Sequence, residues 1–169
     1  MFRSTRALAV ATALVAVLVL AGGLFLATRP VLAPVVDYTV LDGTRHRSDA
    51  LRGQVVVVNF WATTCTVCMA EMPDLVVVHR ERQSRGLQTL AVAMQYDPPA
   101  RVAGYALDHR LPFPVVIDNT GEIARRFGPV AGTPTTVVIN RRGQIVRRYV
   151  GAPDFGQLRA LLDRLLAET

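Results

Sequence analysis

Two cysteines three residues apart, set between an apolar run and an amphipathic one, restrict the possible folds of this chain more than any other feature. The stretch is Asn59-Phe60-Trp61-Ala62-Thr63-Thr64-Cys65-Thr66-Val67-Cys68, directly after Val55-Val56-Val57-Val58. An uncharged, β-branched run of this kind predicts a central strand buried on both faces, from Val55 to Phe60. Beyond it, Met72, Leu75, Val76 and His79 recur at helical spacing, so a helix is expected from about Cys65 to Ser84, with Gly86 just past its end. Cysteines at i and i+3 in a first helical turn share a face and can close a small disulfide. The unpaired N–H groups and partial positive charge of the helix start favour a thiolate on the first of them. Cys65 is therefore expected to be the exposed nucleophile, and Cys68 the more buried resolving thiol.

Other uses of the pair fit less well. The chain has 2 cysteines and 3 histidines, and His46, His79 and His109 are scattered, which leaves no second ligand pair for zinc. Met69 or Met72 beside the thiols would suit Cu(I), as in a metallochaperone, but methionines at helical spacing more often belong to a core. A purely structural disulfide across so short a loop would constrain little of the unfolded chain. Redox chemistry is the reading on which spacing and context agree. No metal and no cofactor is expected.

The second strong feature precedes the domain. Ala7 to Ala27 carries no charge, and as a helix it would be roughly 31 Å long, about the hydrocarbon thickness of a bilayer. Arg3 and Arg6 flank its start and Arg29 its end, which predicts a cytoplasmic N-terminus (residues 1–6), a transmembrane anchor (7–27) and an exported remainder. A cleavable signal peptide ending near Val31-Leu32-Ala33 is the rival, but signal h-regions are shorter. Residues 28–34, with Pro30 and Pro34, read as a linker, and 35–169 as one domain of ordinary size.

All 19 basic residues are arginine, so a lysine Schiff base and a P-loop lysine are excluded. Setting aside Arg3, Arg6 and Arg29 halves the +6 net charge. The pairs Arg125-Arg126, Arg141-Arg142 and Arg147-Arg148 lie apart without aromatic interleaving, so no nucleic-acid partner is expected.

Along the domain, Val35–Val40 reads as a strand before an Asp42-Gly43 turn, and Ser48–Leu51 as one helical turn closed by Gly53. Leu87–Gln95 is a second apolar strand. A helix with proline in its first turn follows (Pro98–Arg110), then a strand (Phe113–Ile117) and a short helix (Gly121–Phe127). Thr135–Asn140 and Gln144–Val150 form a hairpin. Asp154–Ala167 closes the chain as an amphipathic helix with Leu158, Leu161, Leu162 and Leu165 on one stripe. Strands alternating with helices and ending in a hairpin predict an α/β fold with a mixed central sheet.

At this level the chain resembles the membrane-anchored, thioredoxin-like thiol:disulfide oxidoreductases of the TlpA/ResA type. The likeness rests on Asn59-Phe60-Trp61-Ala62 before the cysteines and Glu71-Met72-Pro73 after them. It extends to Gly132-Thr133-Pro134-Thr135, where that family carries a cis-proline loop facing the thiols. The helix and strand between Pro98 and Ile117 match the insertion that separates the group from plain thioredoxin. The resemblance implies a thioredoxin fold with an N-terminal strand extension, tethered on the extracytoplasmic side of a bacterial membrane. It also implies a dithiol that reduces disulfides of exported proteins, re-reduced by a membrane thiol-transfer protein, with cytochrome c maturation as the group's commonest role.

Three positions vary. Asn59 stands where thioredoxin keeps a buried aspartate. Glu71 falls where the group places an acid near the thiols, and a nearby carboxylate shifts a thiol's titration. Thr64 replaces the tryptophan that usually precedes the first cysteine. Catalytic roles are thus expected for Cys65, Cys68 and Glu71, and substrate binding for Thr133 (through its backbone), Pro134 and, beyond its packing role, Trp61. A thiol peroxidase shares the fold, but its Pro-x-x-x-Thr-x-x-Cys pattern would need proline and threonine where this chain has Val58 and Ala62.

Overall fold

The structure is a computed structural model, and it describes residues 30–168. The expected N-terminal segment (1–6) and transmembrane anchor (7–27) lie outside these residues. Among the described residues no helix is long and apolar enough to cross a membrane. The compact unit begins at Leu32, ahead of the boundary expected at residue 35. Leu32 bridges to Gln144, and the Ala33 N–H donates to the Gly143 carbonyl, so part of the expected linker is already bonded to the domain.

The chain runs β1 (Asp37–Thr39), β2 (Arg45–Arg47), β3 (Val55–Trp61), α1 (Thr66–Arg82), β4 (Leu87–Ala93), α2 (Pro99–Asp108), β5 (Val115–Ile117), α3 (Glu122–Arg126), β6 (Thr135–Ile139), β7 (Ile145–Val150) and α4 (Phe155–Ala167). Five strands form one sheet in the order β5-β4-β3-β6-β7. β3 and β4 are parallel, as are β4 and β5, while β6 is antiparallel to both β3 and β7. This is the mixed sheet the element order predicts. β3 is buried along its whole length, as expected of a strand with a neighbour on each edge and helices on each face.

The period-2 alternation of β3 divides the core. Val55, Val57 and Trp61 face a layer made by α1 (Met72, Leu75, Val78), α2 (Val102) and α4 (Leu158, Leu162, Leu165, Leu166). Val56, Val58 and Phe60 face the other way, toward Val36, Tyr38, Ile123 and Phe127. Asn59 shares the parity of Val57 and Trp61, so it points into the layer beneath α1.

Several local expectations shift. The single N-terminal strand expected over Val35–Val40 is shorter and belongs to a hairpin, pairing Tyr38 with His46. The second hairpin strand, Arg45-His46-Arg47, is exposed at every residue and so lacks the apolar alternation that marks a strand. β4 ends at Ala93, because a turn closes there from the Asp97 N–H to the Met94 carbonyl. α1 ends at Arg82 and passes through a 3-10 turn to Gly86, whose φ of 97° is the left-handed helix stop its position predicts. On α4, Leu166 is buried on the stripe and Leu161 lies only partly covered.

Candidate active site

The site is built at the C-terminal end of β3. Ala62-Thr63-Thr64 leads from the strand to Cys65, which caps α1 in an extended conformation (φ −93°, ψ 105°). Its sulfur accepts the Cys68 N–H at 3.1 Å, satisfying one of the unpaired donors of the helix start. Cys65 and Cys68 are joined as a disulfide with Cα atoms 5.2 Å apart. Cys68 has no exposed surface, whereas Cys65 is partly exposed. The difference follows from position. Cys68 is one turn into α1 and faces the core, while Cys65 sits at the rim where strand becomes helix.

β6 begins on the other side of this rim. The Thr133–Pro134 peptide is cis, and the Thr133 carbonyl oxygen lies 3.5 Å from Cys65 Sγ. Because β6 runs antiparallel to β3, its first residues meet the last residues of β3, pairing Phe60 with Thr135. Topology therefore brings Thr133 and Pro134 to the thiols across a long stretch of sequence.

Below the disulfide, Glu71 follows Cys68 at i+3, which places both on one face of α1. The side chain is buried, and its Oε1 accepts from Asn59 Nδ2 at 2.9 Å. The same Asn59 nitrogen donates to Thr136 Oγ1 at 3.0 Å, and Asn59 and Thr136 are directly opposed on β3 and β6. Burial pushes the Glu71 carboxyl up to about 7, a rise that the Asn59 hydrogen bond partly opposes. Asn59 therefore does not remove the buried acid from this region. The acid comes from the helix, and the strand supplies its donor.

Two residues after β4 that sequence reasoning passed over also reach the site. The Asp97 carboxylate, itself buried, accepts from the Thr63 N–H and the Thr63 hydroxyl, both at 2.6 Å. It thereby fixes the loop leading into Cys65. The Tyr96 hydroxyl bonds Thr133 Oγ1 at 3.2 Å. An Asp-Pro step reads in sequence as an ordinary turn signal, which conceals the tertiary role of Asp97. Trp61 has no exposed surface and packs on Tyr105, with ring centroids 5.4 Å apart. This burial is the packing beside the active site that was expected of Trp61.

A dithiol–disulfide pair at a helix start, faced by a cis-proline loop on a mixed sheet, defines a thioredoxin-like oxidoreductase site. Comparisons with known proteins agree. The redoxin family model matches residues 30–162. The thiol-disulfide oxidoreductase ResA of Geobacillus thermodenitrificans is 34% identical over 119 residues, covering 70% of this chain and 67% of that protein. ResA of Bacillus thuringiensis subsp. konkukian is 29% identical over 133 residues, covering 79% and 76%. Among solved structures, a thiol:disulfide interchange protein of the thioredoxin family from Chlorobium tepidum superposes with a TM-score of 0.76 at 30% identity, covering 83% of this chain and 99% of that one. The chain belongs to the redoxin family, within its TlpA/ResA-type branch, and is a thiol–disulfide oxidoreductase.

Proposed function

We propose that this protein is a membrane-tethered, extracytoplasmic reductase of protein disulfides. The observation that carries the reading is the unequal exposure of the two sulfurs, Cys65 at the rim beside Thr133 and Cys68 buried beneath it. In the reduced protein the Cys65 thiolate attacks one sulfur of a substrate disulfide, and the other sulfur leaves as a thiolate. Cys68, deprotonated, then attacks Cys65 Sγ, releasing the second substrate thiol and closing the Cys65–Cys68 disulfide. Two electrons have passed from the protein to the substrate. Glu71, one turn beyond Cys68, is the group we assign to tuning the pair's titration and handling its proton. The backbone of Thr133, set by Pro134, is the edge along which an extended substrate segment pairs.

The anchor is residues 7–27, joined through 28–34 to the domain. The length of its uncharged run and the flanking Arg3 and Arg6 support a catalytic domain on the extracytoplasmic side of a bacterial inner membrane. A membrane thiol-transfer protein then returns the electrons. Haem-binding cysteines of apocytochrome c are one substrate consistent with this placement. Cys68→Ser should accumulate a mixed disulfide between Cys65 and substrate that dithiothreitol releases, while Cys65→Ser should abolish activity and trap almost nothing. Equal trapping by both variants, or activity retained by Cys65→Ser, would reverse the assigned order of attack.

A further inference from the structure

Large aromatic side chains of this domain are kept inside, with one exception. Among the described residues, Tyr96 is the only phenylalanine, tyrosine or tryptophan that stands mostly in solvent, 58% exposed. Its place is not arbitrary. In the sheet order β4-β3-β6, the end of β4 and the start of β6 flank the end of β3. Tyr96 follows β4, Thr133 precedes β6, and the hydrogen bond between their hydroxyls joins the two sides beside Cys65. The Thr133 residue so held is the one whose carbonyl lies against Cys65 Sγ. The next residue, Asp97, is anchored through Thr63, so the backbone that carries Tyr96 is fixed to the active-site loop.

The exposed residues that flank Cys65 along the chain are uncharged. Thr64, Thr66 and Val67 are exposed around Cys65, with Val67 showing 49% of its surface. The Asp97 carboxylate is buried and already accepts two hydrogen bonds. An exposed aromatic ring tethered at its hydroxyl loses little side-chain freedom when something packs on it. It also presents a flat apolar surface that prefers an aromatic or aliphatic neighbour to a polar one.

We infer that Tyr96 is a specificity-determining contact, the platform on which a polypeptide substrate lays a large apolar side chain next to its reacting cysteine. The inference rests on the proposal that Cys65 attacks polypeptide disulfides, and it adds which polypeptides are attacked fastest. Substrates with phenylalanine or leucine beside the cysteine are favoured over those with serine or aspartate there.

The test uses the reduced protein and three probes, each carrying thionitrobenzoate in a mixed disulfide. The first is a hexapeptide with phenylalanine next to its cysteine, the second has serine in that place, and the third is 2-mercaptoethanol. Attack by Cys65 releases coloured thionitrobenzoate and leaves the probe on the enzyme until Cys68 displaces it. The wild-type protein should react with the phenylalanine peptide about tenfold faster than with the serine peptide. Tyr96→Ser should bring the two peptides to within about twofold of each other, each rate being taken relative to that with 2-mercaptoethanol, which has no side chain to lay on the ring. Tyr96→Phe, which keeps the ring and loses the tether, should retain most of the preference. A wild-type protein without preference, a preference that survives Tyr96→Ser, or an equal fall with all three probes would each overturn the assignment. Failure of the underlying mechanism is recognised separately, because Cys65→Ser would then consume the 2-mercaptoethanol probe as fast as the wild type.

Discussion

Burying Glu71 beside Asn59 gives the protein a pH-dependent stability of unusual sign. An unfolded chain releases this proton near the ordinary glutamate value of 4.5, whereas the folded protein holds it up to about 7. Between those values the native state binds more protons than the unfolded state, so stability is greatest on the acid side and falls as the pH rises through 7. The gap corresponds to ~3 kcal/mol. Denaturant titration of the oxidised protein, in which neither cysteine titrates, should show this decline, and Glu71→Gln should flatten it. Asp97 stabilises the site differently, by holding the loop that leads into Cys65. Asp97→Ala should lose about 2 kcal/mol by the same measurement, since two partly buried hydrogen bonds to Thr63 disappear. At this scale the sequence is partly legible. Cys65, Cys68 and Glu71 sit at fixed helical offsets from one another, so a single run of sequence suffices to group them. Asn59, Thr136, Tyr96 and Asp97 join the site only through strand pairing and loop contacts, which no local pattern encodes.

Elements differ in how plainly their sequence declares them. β3 and α4 carry strong apolar patterns and form close to where those patterns lie, whereas β2 is held by pairing with β1 and has no buried side of its own. The Arg147-Arg148 step sits within β7, the outer strand of the sheet, and charged side chains there suit a strand with one free edge. α4 offers a clean comparison of two kinds of stabilisation. The Asp154 carboxylate caps it by accepting the Gln157 N–H at 2.9 Å, and Leu162 fills the layer beneath the sheet with no exposed surface. Asp154→Ala should cost about 1 kcal/mol, as cap losses do. Leu162→Ala should cost about 3 kcal/mol, because it leaves a cavity among Leu158, Leu165 and the β3 side chains. Thermal unfolding of the two variants, each against wild type, would rank them.

For the molecule as a whole, the unit from Leu32 onward contains both core layers and every side chain placed at the site. A protein beginning at Pro30 should therefore fold, retain disulfide reductase activity in solution and appear in the soluble fraction. The full chain should stay with membranes after a carbonate wash. Recovery of the full chain in the soluble fraction would count against the anchor.

The register of the central strand has a consequence for how the chain reaches this state. β3 meets β4 at a separation of about 30 residues, bridged by a helix, but meets β6 only across about 80 residues of intervening chain. Loop closure over the longer span is the costlier step, so the β3-α1-β4 unit should organise first, with one edge of β3 still open. During that interval Cys65 and Cys68 are already neighbours, while Thr133 and Pro134 have yet to arrive. Pulse-labelled hydrogen exchange during refolding should accordingly protect the amides of β4 before those of β6. A chain halted between the two stages would carry its two cysteines side by side and half a substrate groove.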